Sequence, residues 1–276
     1  MKASVKLLSH ASILISVEGK KILTDPWFLG TSFNDGWELF PKPNLEQIES
    51  LISDVDIIWI SHEHPDHFHF PTLKWLVPKC KKETKILFQK NNSRKVFNAL
   101  KNIGFKKFLS MPHNKKVNVT SELDLICYCH RHLDSALGVF VNDNFWLLNI
   151  NDTELNDYDI SIITKKWGHP NTIFNQFSIA GFDGNLPSLK KDKLSILDKM
   201  IQHHKGLKAK LTIPFASFMR FARKDNLFIN EYSNNPLDVR EKFLSMNYNV
   251  GLVAYELNEL IWNSYEELPV NLEEVN

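Results

Sequence analysis

The chain has 276 residues, 43% of them hydrophobic and 12% aromatic, which supports a sizeable buried core and excludes disorder or low complexity as a description of the whole. Lysine and arginine total 33 against 32 aspartates and glutamates, a formal charge of +1, so no strong overall field would hold the chain on nucleic acid or on an acidic membrane. Glycine occurs only ten times, and the absence of a Gly-rich phosphate cradle or dinucleotide fingerprint removes nucleoside-triphosphate and Rossmann chemistry.

Residues 4–8, 11–17 and 21–24 are apolar and β-rich, with Glu18-Gly19-Lys20 as turn chemistry, and predict an opening meander. The stretch resembles a signal peptide at first, but Glu18, Gly19, Lys20 and Lys21 stand where a cleavage site should be. Asn44 caps a short helix, VDIIWI at 55–60 is a buried strand, and Pro71 starts a helix through Val77. A strand at 85–88 and a helix capped by Ser93 and running to Asn102 follow. After Lys106 strands dominate: KFL, KVNV, LDLICYC, ALGVFV and FWLLNI, then DISII at 159–163 as another buried strand. Lys165 to Pro187 reads as loose, Ser188 caps a helix with Leu194, Leu197, Ile201 and His204 on one face, and KLTI is a strand. A helix from Pro236 to Met246, two closing strands and a loose tail from Asn271 to Asn276 complete a single domain spanning 1–276. Cys80, Cys127 and Cys129 are too few for a disulfide framework and read as reduced thiols of a cytoplasmic chain. No run of about 18 apolar residues predicts a membrane span.

The chemistry is concentrated in Ser61-His62-Glu63-His64-Pro65-Asp66-His67-Phe68-His69, directly after the apolar strand. So many imidazoles and carboxylates at a strand end are donors for zinc, iron or manganese rather than packing residues. Residues two apart on an extended chain point the same way, so His62 and His64 can share one ion. Asp66 and His67, beyond Pro65, turn toward a second.

HEHPDH resembles the H-x-H-x-D-H signature of the metallo-β-lactamase fold superfamily. The resemblance implies an αββα sandwich with the metals at the open edge between its sheets. It also implies a bridging Asp at a later strand end, Asp152 in NINDT, and a third His from CYCHRHLDSA. His130 is preferred for that role because similar proteins place this His four residues before an acidic residue, as His130 precedes Asp134, and His132 is the alternative. Asp25 in TDPW would accept backbone hydrogen bonds and hold the His loop. ILTDPWFLG, SHEHPDHFHFPTL and IPFASF together look like the metallo-β-lactamase-type portion of the CMP-N-acetylneuraminate hydroxylase family. That family carries a Rieske cluster needing two Cys/His pairs, and this sequence offers one at most.

The expected ligands are therefore His62, His64 and His130 for one ion and Asp66, His67 and Asp152 for the other, with Asp66 also orienting a water. The late His usual in the fold is missing from KLTIPFASFMRFARKDN, so the second site is expected to bind more weakly unless His69, His113 or His169 substitutes. His203 and His204 read as rim residues. His10 and Trp37 are expected to contact substrate, and Arg220 and Arg223, with Lys224 beside them, are candidates for an anionic group. Hydrolysis of a phosphodiester, ester or lactam by a metal-activated water ranks first. Dioxygen activation by two irons, with electrons from a separate protein, ranks second, and a non-catalytic binding protein third.

Overall fold

The computed structural model describes residues 3–91, 93–130, 133–142, 145–248, 250 and 259–262. In chain order the elements are β1 (Ala3–Ser9), β2 (Ser12–Val17), β3 (Lys20–Thr24), β4 (Thr31–Ser32), β5 (Trp37–Leu39), α1 (Leu45–Ile52), β6 (Ile57–Ile60), α2 (Phe70–Leu76), β7 (Lys85–Gln89), α3 (Lys95–Ile103) and β8 (Lys107–Met111). Then come β9 (Lys116–Thr120), β10 (Leu123–His130), β11 (Asp134–Val141), β12 (Phe145–Asn151), α4 (Asp157–Trp167), β13 (Thr172–Gln176), α5 (Leu186–Leu207), β14 (Leu211–Phe215), β15 (Met219–Phe221), α6 (Pro236–Ser245) and β16 (Glu259–Trp262). His132, the tail from Asn271 and part of the closing strands lie outside the described residues.

Two sheets face each other. One has the order β16-β1-β2-β3-β6-β7-β8 and the other β14-β13-β12-β11-β10-β9. Period-two alternation decides which side chains meet between them. Val5, Leu7, Ile13 and Ile15 from the first sheet share one buried cluster with Leu125, Cys127, Leu137 and Leu147 from the second. The alternate set faces outward. Leu14, Ile58 and Ile86 pack under α1, α2 and α3, while Ile126, Tyr128, Leu148 and Ile150 pack under α4. The expected αββα sandwich results.

Two local expectations are corrected. DISII is not a strand but the first part of α4: the Asn156 side chain accepts from Tyr158 and Asp159 backbone N–H groups, and Asp159 returns a bond to the Asn156 N–H. This capping box, with buried Ile160 and Ile163 three apart, suits a helix resting on a sheet. The stretch read as loose contains β13, a parallel strand between β12 and β14 whose Ile173 and Phe174 are buried. Leu194, expected on the buried face of α5, is 63% exposed, while Met200 and His203 are buried.

The pairings β3–β6–β7–β8 and β12–β13–β14 are parallel, and the remaining pairs of both sheets are antiparallel. The carboxyl ends of β3, β6 and β12 lead into the residues described next, the position where open α/β sheets bind ligands. No helix among the described residues is long and apolar enough to cross a membrane.

Candidate metal centre

Asp25 follows β3 with φ 34° and no exposed surface. Its backbone N–H donates to the Trp59 carbonyl at 3.0 Å, and its Oδ1 accepts the Ser61 N–H at 2.7 Å. Its Oδ2 takes bonds from Asn151 Nδ2 at 2.6 Å and His67 Nδ1 at 3.1 Å. One carboxylate thus ties β3, the His loop and the end of β12 together, as the sequence suggested. A carboxylate acceptor fixes Nδ1 of His67 as the protonated nitrogen, which leaves Nε2 facing the cleft. His62 Nδ1 lies 2.9 Å from Ser61 Oγ, and its Nε2 faces His64 Nδ1 at 2.8 Å and Asp152 Oδ2 at 3.4 Å.

Two groups of donor atoms result, each with its members within 4.8 Å of one another: His62, His64 and Asp152, and His10, Asp66 and His67. Asp152 stands between them, its Oδ2 being 3.4 Å from His62 Nε2 and 3.5 Å from His67 Nε2. Asp152 thus lies beside an imidazole of each group. His10, in the turn between β1 and β2, brings Nε2 to 3.2 Å from Asp66 Oδ2. A candidate for the position of the missing late His therefore comes from the opposite end of the sequence, since His10 joins a candidate donor group as well as lining the cleft.

His130 is also corrected. It follows Ile126 and Tyr128 on the outward set of β10, and its Nδ1 pairs with Asp159 Oδ2 of α4 at 3.1 Å, so it joins neither donor group. The residue beside His62 is instead Asp134, at the start of β11, with Oδ1 3.8 Å from His62 Nε2. Its neighbours anchor it to the His loop: Ser135 Oγ donates to the Ser61 carbonyl at 2.7 Å, and Gln89 Nε2 donates to the carbonyls of Leu133 (2.5 Å) and Ser61 (3.3 Å).

None of the expected substitutes reaches the site. His69 caps α2 against Thr72, His113 accepts the Cys129 N–H, and His169 contacts the Leu207 carbonyl. His203 and His204 are buried against Asn175 and Thr212 rather than on a rim. Arg220 pairs with Glu38 and Arg223 with Asp225, and neither lines the cleft. Trp37 does line it, as expected.

The cleft is about 360 Å³, the size of a small-molecule site. Phe33, Trp37, Ile179 and Met219 form apolar walls, and Gln176, Ser217 and Glu154 supply polar groups. Burial opposes charge on both Asp66 and His67. Their mutual attraction, with His10 beside Asp66 and Asp152 and Asp25 around His67, nevertheless holds Asp66 well below the usual carboxylate range and His67 well above the usual imidazole range. Burial and the neighbouring His67 lower His62, which keeps a lone pair available. Burial raises Asp134, and the carboxylate of Asp152 adds to that.

Oδ1 of Asp66, Asp134 and Asp152 are each buried without a hydrogen-bond partner. Unpaired buried carboxylate oxygens are costly, and three converging beside imidazole nitrogens fit divalent cations. Together the candidate donors are His10, His62, His64, His67, Asp66 and Asp152, with Asp134 beside His62.

Residues 4–160 match the model of the beta-lactamase superfamily domain. Cytidine monophosphate-N-acetylneuraminic acid hydroxylase of Danio rerio is 25% identical over 251 residues, covering 85% of this chain and 42% of that protein. The Mus musculus hydroxylase is 37% identical over 75 residues, 27% of this chain and 13% of its own length. The chain thus spans less than half the length of these relatives. Among solved structures, Igni18, a metallo hydrolase from Ignicoccus hospitalis, superposes with a TM-score of 0.66 at 14% identity over 96% of this chain and 100% of its own. CmlA, a diiron β-hydroxylase from Streptomyces venezuelae, superposes with a TM-score of 0.64 at 12% identity over 94% of this chain and 54% of its own.

Proposed function

The chain belongs to the beta-lactamase superfamily and has its metallo-β-lactamase fold, and from that premise we propose that it is a non-haem di-iron oxidoreductase that uses dioxygen on a small molecule. The donor set carries this reading. Each group is two imidazoles and a carboxylate, the pattern suited to non-haem iron, and Asp134 adds oxygen where a third imidazole would favour zinc. The similarity to hydroxylases over most of this chain supports it.

His62, His64 and Asp134 would hold one ion, His10, Asp66 and His67 the other, with Asp152 shared. Two irons so held would supply dioxygen binding and reduction. The chain's own residues set the conditions. Asp25 and Ser61 orient His67 and His62, so that their Nε2 atoms face Asp152. Phe33, Trp37, Ile179 and Met219 exclude water around the reacting group, and Ser217, Gln176 and Glu154 can orient a polar substrate. Two divalent ions carry one more charge than Asp66, Asp134 and Asp152 together, so an anionic substrate group would be held at the ions rather than by Arg220 or Arg223. Electrons would come from a separate electron-transfer partner.

Hydrolysis, ranked first from the sequence, retains one supporting observation: Asp66 is held anionic with Oδ1 unpartnered, suited to orienting an attacking water. Anaerobic loading with Fe(II) and, separately, Zn(II) distinguishes the two readings. The di-iron reading expects reductant-dependent oxygen uptake by the iron form and no turnover of phosphodiesters, esters or lactams by the zinc form. Hydrolysis by the zinc form without oxygen uptake by the iron form would overturn it.

A further inference from the structure

Away from the donor atoms, β10 carries two thiols two residues apart. Alternation places them on the same side of the strand, and Sγ of Cys127 lies 3.9 Å from Sγ of Cys129. Cys127 is completely buried in the core between the sheets, and Cys129, packed against that core, is half-buried. Cys80 belongs to the other sheet's helical face. We propose that Cys127 and Cys129 form a reversible dithiol–disulfide site oxidised by a hydroperoxide, and that its oxidation loosens the metal centre through Ser135.

The division of labour follows from burial. Cys127 is fully buried and Cys129 only half-buried, so Cys129 is the sulfur a peroxide can approach, and the contact between the two favours its thiolate while the same contact and burial keep Cys127 protonated. The Cys129 thiolate attacks one oxygen of hydrogen peroxide and becomes a sulfenic acid, and the departing hydroxide takes up a proton to give water. The Cys127 sulfur then attacks Cys129 Sγ and expels a second water, with the thiol proton completing it. Two thiols lose two electrons and one peroxide gains them. Residues two apart on a strand are separated by about 6.6 Å between Cα atoms, near the upper limit for a disulfide, so the bond formed is readily reduced.

Ser135 supplies the connection to the metals. It faces Cys129 across the β10–β11 ladder, its hydroxyl donates to the carbonyl of Ser61, next to His62, and Ser135 itself follows Asp134. Closing the sulfurs from 3.9 Å to the bonding distance of about 2.05 Å pulls on β10 at Cys129, directly opposite Ser135.

The test uses the full chain loaded with zinc, reduced and then treated with hydrogen peroxide. Intact mass should fall by two hydrogens, with a Cys127–Cys129 link in the peptide map and Cys80 still alkylated. Cys127→Ser should stop at a dimedone-trappable sulfenate on Cys129. Zinc release to a chelator should be about tenfold faster from the oxidised protein, return to the starting rate with dithiothreitol, and be unaffected by peroxide in Cys129→Ser. Ser135→Ala should release zinc at the faster rate before oxidation. Absence of the link would overturn the site, and equal release from oxidised and reduced protein would overturn its coupling to the metals.

Discussion

Replacing Asp134 by Ala and His130 by Ala should separate metal affinity from stability in opposite directions. Asp134 Oδ1 is 3.8 Å from His62 Nε2, and burial together with the nearby Asp152 disfavours its charge. Removing it relieves like-charge repulsion in the metal-free protein, whose stability should stay level or rise by up to about 1 kcal/mol. Metal affinity at that position should fall by at least the 10–100-fold typical of groups that merely support a ligand, about 1.4–2.8 kcal/mol. His130→Ala does the converse. It removes the 3.1 Å contact to Asp159, leaving that buried carboxylate to Tyr128 and the Asn156 N–H, and should cost about 1–3 kcal/mol of folding stability with metal content unchanged. Urea denaturation of the chelated proteins and competitive metal titration measure the two quantities independently. Loss of an ion from His130→Ala with full retention by Asp134→Ala would refute the assignment of the donors.

Three further outcomes follow from the same geometry. His10→Ala should reduce metal from two ions to one per chain, read by elemental analysis, because no other described imidazole reaches Asp66 and His67 in its place. In the metal-free protein the raised His67 contributes stability that is complete below its unfolded value of about 6.5 and is lost as pH rises through its higher folded value. The melting temperature of chelated protein should therefore fall on going above neutrality, and the metal-loaded protein, with Nε2 committed to an ion, should lack that component. Arg220→Ala and Arg223→Ala break exposed pairs with Glu38 and Asp225, and the first also an exposed contact with the Phe40 ring, so stability should change by about 1 kcal/mol or less and KM not at all.

The His loop, Asp152 and the role of Asp25 were legible because strand-end position and donor chemistry are local properties. That Asp134 and not His130 lies beside His62 was not, because a motif spacing says which residues are close along the chain and not which face of β10 they occupy. Counting in twos from Leu125 and Cys127, both in the inter-sheet core, puts His130 with the outward set. His10 was legible as a turn residue of the opening meander, but its approach to Asp66 depends on β1, β2, β3 and β6 lying side by side. The α4 segment misled because Ile160, Ile162 and Ile163 satisfy a short buried strand as well as a helix, and the Asn156–Asp159 capping box decides between them. Arg220 and Arg223 were judged by type alone, and their carboxylate partners come from β5 and from the turn after β15.

A crystal structure of protein loaded anaerobically with iron, with anomalous maps recorded at the iron edge, tests the central claim most directly. Two peaks are expected, one contacted by His62, His64 and Asp134 and one by His10, Asp66 and His67, with Asp152 touching both. A single peak, or a peak bound by His130 with Asp134 turned away, would contradict it.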